Sequence, residues 1–183
     1  MPQLIVLRGL PASGKSTLAA LIAKALGFHW IDVDAVRLIA TGMPNPHPNA
    51  EDGSLKRDGE EMGISYRMML AMVDENLKAG RSVIMTATFS RAMAHDQIEK
   101  LLADNPGTEL KMIWCDTEGI TDPSLEIRFN REGYLGATNT VERFRELEAH
   151  FVKDINLPQF RLRTAWMHTI NECLDHALDY ISK

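Results

Sequence analysis

The sequence predicts an α/β fold in which helices cover both faces of a mainly parallel five-stranded sheet, a three-layer α/β/α sandwich. Three observations predict it. Short apolar runs, such as Leu4-Ile5-Val6-Leu7 and Val83-Ile84-Met85, alternate along the chain with longer stretches of helical periodicity. These runs are apolar throughout, as strands of a parallel sheet covered on both faces are. The first run also passes directly into Gly9-Leu10-Pro11-Ala12-Ser13-Gly14-Lys15-Ser16, a complete G-x-x-x-x-G-K-[ST] phosphate-binding loop, and from there into a helix.

The elements follow in order. A strand over Gln3–Leu7 leads through the loop to a helix over Lys15–Ala25, with Gly27 as its C-cap. Phe28–Asp34 reads as a second strand ending in acids, and a short helix from Asp34 stops near Gly42. Gly42–Gly59, with Pro44, Pro46 and Pro48, keeps no periodicity and is either an acceptor-side binding loop or a surface insertion. Met62, Tyr66, Met69, Val73 and Leu77 fall at helical spacing and predict a helix over Glu60–Ala79. Ser82–Thr88 is a third strand, Arg91–Ala103 a helix, and Leu110–Asp116 a fourth strand. Thr117–Thr140 is polar, glycine-bearing and lid-like; Val141–Val152 is helical, Leu162–Trp166 a last strand, and Thr169–Ile181 a closing helix. No composition break divides residues 1–183, so a single domain is expected.

The loop's residues follow from its chemistry. Glycines let the backbone turn its N–H groups inward around an anion, and the new helix aims its unpaired N–H groups and positive dipole end at the same place. Lys15 adds a mobile charge for the outer phosphates, and Ser16 a hydroxyl for Mg²⁺. The stretch Gly9, Leu10, Pro11, Ala12, Ser13, Gly14, Lys15, Ser16 and Thr17 is therefore the expected ATP site. Pro11 stiffens the turn, and Ser13 is either a small residue that fits or a phosphate contact.

Composition narrows the partners. The chain has 183 residues, 45% apolar and 25% charged, with net charge −5. No basic run suits a long grip on a polyanion, and no segment holds 18 uninterrupted apolar residues, so no membrane span is expected. Met1-Pro2-Gln3 enters the first strand without a basic segment, which argues against an export signal. Cys115 and Cys173 make no metal-ligand cluster, and a reducing cytoplasm is the natural setting.

Ligands of such sheets bind beyond the carboxyl ends of the strands, which gathers further candidates beside the loop. Phosphoryl transfer needs a carboxylate able to take the acceptor's proton, and Asp34, at the end of the second strand, is suitably placed; its other reading is the N-cap of the next helix. If the strand runs through both, Asp32 shares a face with Asp34, leaving one carboxylate for Mg²⁺ or its waters. Arg37, a turn beyond Asp34, clamps the acceptor, holds Asp34 or makes a solvent ion pair. Arg128 and Arg131, three apart on one helix face, suit a hinged lid over the phosphates, and Arg143 is positioned to join them. Thr86 and Thr88 end the third strand, where related ATPases place an acid; they contact the metal's water shell, the acceptor or the next helix's amides. Asp116 is a secondary candidate, and Trp30, Trp114 and Trp166 read as core or sheet-edge residues.

The glycine-rich loop, Asp34-Ala35-Val36-Arg37 and the pair Arg128 and Arg131 together resemble the small phosphate-loop (P-loop NTPase) kinases. The nearer branch comprises the 5′-hydroxyl kinase domain of bacteriophage polynucleotide kinase, the zeta-toxin kinases and chloramphenicol phosphotransferase. The resemblance implies an ATP- and Mg²⁺-dependent phosphotransferase with an alcohol acceptor, Asp34 as general base and Arg37 on the acceptor side. It also implies Arg128 and Arg131 in a lid, and 42–59 beside the acceptor. Polynucleotide kinase-like members carry an aspartate at the third strand end, where this chain has Thr86-Ala87-Thr88. The acceptor is expected to be a small molecule or a nucleotide. A polynucleotide 5′ end, a regulatory ATPase without an acceptor and a decayed nucleotide-binding module are the competing readings.

Overall fold

The computed structural model describes residues 1–41, 54–89, 92–130, 140–153, 155–164 and 169–183. Strand and helix alternate as predicted: β1 (Gln3–Arg8), α1 (Lys15–Leu26), β2 (His29–Asp32), α2 (Val33–Thr41), α3 (Ser54–Lys78), β3 (Val83–Ala87) and α4 (Ala92–Asp104). They continue as β4 (Glu109–Asp116), α5 (Asp122–Phe129), α6 (Val141–Ala149), β5 (Phe160–Arg163) and α7 (Ile170–Ile181). The five strands form one sheet in the order β2-β3-β1-β4-β5. Every pairing is parallel, so the sheet is wholly and not mainly parallel.

Alternate side chains of the sheet build two cores, because successive residues of a strand face opposite ways. Ile5, Leu7, Ile84 and Ile113 pack with Leu18 and Ile22 of α1 and with Cys173, Ala177 and Ile181 of α7. Leu4, Val6, Val83, Met85 and Met112 pack with Val36 of α2, Met69 and Val73 of α3 and Ile98 of α4. The methionines at helical spacing on α3 both face this core: Met69 is fully buried and Met62 packs against it partly buried. A smaller cluster of Leu10, Trp114, Leu125, Phe129, Phe144 and Phe151 seats α5 and α6 beside the phosphate loop. Each fully buried leucine or isoleucine contributes about 1.5–3 kcal/mol.

Helix ends follow local chemistry. Gly27 caps α1 with its N–H on the Ala23 carbonyl. Thr169 opens α7 with a reciprocal capping box to Glu172. Four boundaries differ from expectation. α3 starts at Ser54, six residues before Glu60. Gly59 and Gly63 lie inside it, each at a cost of about 1 kcal/mol that a helix of 25 residues carries. The irregular 42–59 stretch is thereby shortened, and 42–53 lies outside the described residues. β2 ends at Asp32, not Asp34. α6 ends at Ala149, not Val152, and the carbonyls of Val152 and Lys153 turn to a buried arginine. β5 begins at Phe160, not Leu162. No helix among the described residues is long and apolar enough to cross a membrane.

Candidate active site

The site lies at the carboxyl ends of β1, β2 and β3. β1 delivers Gly9 with φ 151°, where an added Cβ would stand 2.5 Å from the Cys115 carbonyl oxygen. Only glycine fits there, and the Gly9 N–H bonds the Thr88 carbonyl at 3.4 Å. Gly14, at φ 84°, turns the chain into α1 and leaves the first N–H groups of that helix without a side-chain cap. Ala12 also holds a left-handed φ of 59°. Lys15 is buried, and its ammonium donates to the Leu10 carbonyl at 3.3 Å. Ser13 Oγ is buried without a partner. Exposed helix-start amides, a lysine folded onto its own loop and an unpaired buried hydroxyl are what a cradle for phosphate needs. The residues fit ATP.

Asp32 organises the adjoining corner. Its Oδ1 accepts the backbone N–H groups of Asp34 at 2.9 Å and Ala35 at 3.3 Å, so Asp32 turns β2 into α2. The expected sharing of one strand face by Asp32 and Asp34 therefore fails: Asp34 sits in the first turn of α2. The N-cap role weighed for Asp34 belongs to Asp32. Asp32 Oδ2 accepts from Ser16 Oγ at 2.9 Å and from Thr86 Oγ1 at 2.6 Å. Thr86 in turn accepts from Trp30 Nε1 at 3.0 Å. A hydroxyl backed by a carboxylate is a hard-oxygen set that fits Mg²⁺, which is usually held by one or two carboxylates together with substrate phosphates. Among the described residues no three His, Cys, Asp or Glu side chains group to hold a metal by themselves.

Asp34 pairs with Arg37 Nη2 at 3.5 Å, and Arg37 is buried with Nη1 3.7 Å from Met62 Sδ of α3. Burial pushes the Asp34 carboxyl above the usual carboxylate range; Lys15 and Arg37 pull against this, and Asp32 adds to it. Lys15 is thus within electrostatic reach of Asp34. The solvent ion pair once open for Arg37 is excluded by its burial.

From the other side, Arg128 at the end of α5 donates to the Ala12 carbonyl of the phosphate loop at 2.8 Å. Arg131, its expected partner, lies outside the described residues. Arg143 does not join them: it is half-exposed and paired with Glu146 at 2.7 Å. Asp116 is a structural anchor, bound by Arg161 Nε at 2.7 Å. Thr88 meets the site through its backbone carbonyl on Gly9.

Two contributors were missed. Trp30, expected as a core or sheet-edge residue, does lie on the edge strand β2, but its bond to Thr86, 56 positions away, was not foreseen. Arg8, fully buried one residue before the loop, donates to the carbonyls of Val152, Lys153 and Phe89 and to Gln159 Oε1. Its charge sits 4.6 Å from the Phe151 ring centre, and burial lowers its pKa to about 10. An arginine in an apolar run, flanked by a loop motif, was the available signal.

The parallel sheet, the glycine-rich loop at the end of β1 and the helix that follows define a phosphate-loop nucleotide-binding fold of the P-loop NTPase type. The chain belongs to the AAA domain family, whose model matches residues 4–119. It is 36% identical over 81 residues to a shikimate kinase of Synechococcus sp. (strain RCC307), covering 44% of this chain and 37% of that one. It is 37% identical over 71 residues to a cytidylate kinase of Polynucleobacter necessarius subsp. necessarius (strain STIR1), covering 38% of this chain and 30% of that one. The chain thus matches less than half the length of either relative. A sugar kinase of Janibacter sp. HTCC2649 shares the fold with a TM-score of 0.68 at 19% identity, over 100% of this chain and 95% of that one.

Proposed function

We propose that the protein is an ATP-dependent kinase that moves the γ-phosphate to a hydroxyl of a small molecule or nucleotide, with Asp34 as general base. The observation that carries this reading is a partly buried carboxylate, raised in pKa by desolvation, within electrostatic reach of the phosphate-loop lysine and paired with buried Arg37. A base whose pKa moves toward neutrality is better matched to removing a hydroxyl proton. The two curated relatives are named for different small acceptors, which supports a small acceptor over a polymer without choosing one.

Each residue has a task in this reading. The amides of Gly9–Ser16 and Lys15 hold the triphosphate, Ser16, backed by Asp32, would hold Mg²⁺, and Arg128 joins the phosphates from the lid side. Mg²⁺, when bound, would offset the charge of the outer phosphates. Asp34 orients the acceptor hydroxyl and takes its proton, and Arg37 fixes the carboxylate.

The test is transfer of labelled γ-phosphate to a panel of sugars, nucleosides, nucleoside monophosphates, antibiotics and 5′-hydroxyl oligonucleotides. Asp34→Asn is expected to lower transfer by about 10²–10⁴-fold while ATP affinity stays within a factor of a few. Label appearing only as inorganic phosphate, at equal rates in wild type and Asp34→Asn, would replace this reading with a hydrolysing ATPase.

A further inference from the structure

We propose that Thr86 is a positioning residue for the cation-binding hydroxyl of Ser16, acting through Asp32, and that Trp30 fixes the direction in which Thr86 offers its proton. The inference rests on the phosphotransfer reading for its ligands, and on hydrogen-bond geometry for its logic.

An indole N–H can only donate. At 3.0 Å from Trp30 Nε1, Thr86 Oγ1 must therefore accept, and its one proton is directed to Asp32 Oδ2 at 2.6 Å. That length belongs to a charge-assisted O–H···O⁻ bond. Asp32 Oδ2 also receives the Ser16 proton at 2.9 Å, while Oδ1 takes two backbone N–H groups. Four donors occupy the roughly four acceptor sites of one carboxylate. Asp32 is thereby locked in orientation and holds Ser16 with its proton turned away, which leaves the Ser16 lone pairs for a cation.

The sheet makes this arrangement possible. Asp32 and Thr86 are register partners on adjacent strands, and Trp30 lies two residues back on the same face. Thr86 is fully buried, whereas Trp30 is 38% exposed. An aspartate at 86 would bring a second carboxylate to within hydrogen-bond distance of Asp32, and two such charges repel. A neutral hydroxyl in that position supports the one carboxylate instead.

The experiment compares wild type with Thr86→Val, which keeps the shape and loses the hydroxyl, Thr86→Ser, which restores it, and Trp30→Phe. Mg²⁺ is titrated into protein holding a non-hydrolysable ATP analogue, followed by calorimetry, and analogue affinity is also measured without metal. Thr86→Val should raise the half-saturating Mg²⁺ concentration about 10–100-fold, with metal-free analogue affinity changed by less than about twofold. Thr86→Ser should return it near wild type, and Trp30→Phe should raise it by a smaller factor than Thr86→Val. With neither metal nor nucleotide present, Thr86→Val should move Trp30 emission to longer wavelength, a shift absent in the Trp30→Phe background. An unchanged Mg²⁺ dependence in Thr86→Val, or equal losses with and without metal, overturns the positioning role and leaves the kinase reading standing. A wild-type protein that binds no analogue under any condition overturns both.

Discussion

At the scale of single residues, the tightest constraint in the site is Gly9. A methyl group there meets the Cys115 carbonyl, which is backbone and cannot swing aside. Gly9→Ala is expected to destabilise the fold by about 1–3 kcal/mol and to weaken nucleotide binding, measured by denaturant melts and titration calorimetry. His95 gives a different test. It is buried with Nε2 unpaired among the described residues, and its pKa is lowered first by burial and then by the Arg8 charge, against weaker pulls from a backbone hydrogen bond with Phe89 and from Asp96. The folded protein therefore binds fewer protons at this position than the unfolded chain does. Its share of stability is complete above the ordinary histidine value of 6.5 and is lost as pH falls through the lowered folded value. Urea midpoints should drop between about pH 7 and pH 5, and His95→Gln should drop less; equal slopes would show that other groups cause the loss. Residue types alone made the phosphate loop legible, because eight consecutive positions carry its chemistry. The roles of Asp32 and Asp34 were less so. Which acid ends the strand and which starts the helix depends on a side-chain bond to Asp34 and Ala35 amides that no periodicity encodes.

At the scale of elements, α5 and the segment after α6 both reach back to the phosphate loop. Arg128 already touches the Ala12 carbonyl, so its guanidinium stands beside the cradle. Arg128→Ala is expected to reduce kcat by about 10²–10³-fold with a smaller change in ATP dissociation constant, read by single-turnover transfer and equilibrium binding. Parallel losses in both would assign it to ground-state binding. Arg8 ties Val152, Lys153 and Gln159 to the end of β1 through carbonyls rather than carboxylates. Arg8→Met leaves buried carbonyls unpaired and should cost about 1–3 kcal/mol of stability, visible as a lower urea midpoint. Regular elements were legible where burial sets a period, as on α1 and α7, whose predicted spans agree with the observed ones to within a residue. α3 was misjudged at its start because 42–59 shows no periodicity, whereas packing of Met69, Val73 and Leu77 carries the helix. The contacts of Arg8 were illegible for a related reason: two of its acceptors, the Val152 and Lys153 carbonyls, lie more than 140 positions away and are main-chain atoms without a residue signature.

At the scale of the whole molecule, the sheet order places the site's parts side by side. The expectation that the candidate residues gather at the strand ends is met by Asp32, Thr86 and the loop, since it depends only on parallel topology. The Trp30–Thr86–Asp32 contacts needed the register between β2 and β3, which a linear reading does not contain. That same order has a consequence for synthesis on the ribosome. β1 emerges first, yet both its neighbours, β3 and β4, come 75 or more residues later, and the wall behind Gly9 is Cys115. Nascent chains that end before about residue 110 lack one flank of the central strand, and closing such distant pairings is slow. The nucleotide cradle, though written in residues 9–16, should take shape only after the fourth strand has left the exit tunnel. Stalled chains ending before Glu109 should fail to retain an ATP analogue, and chains extending well past Asp116 should begin to do so.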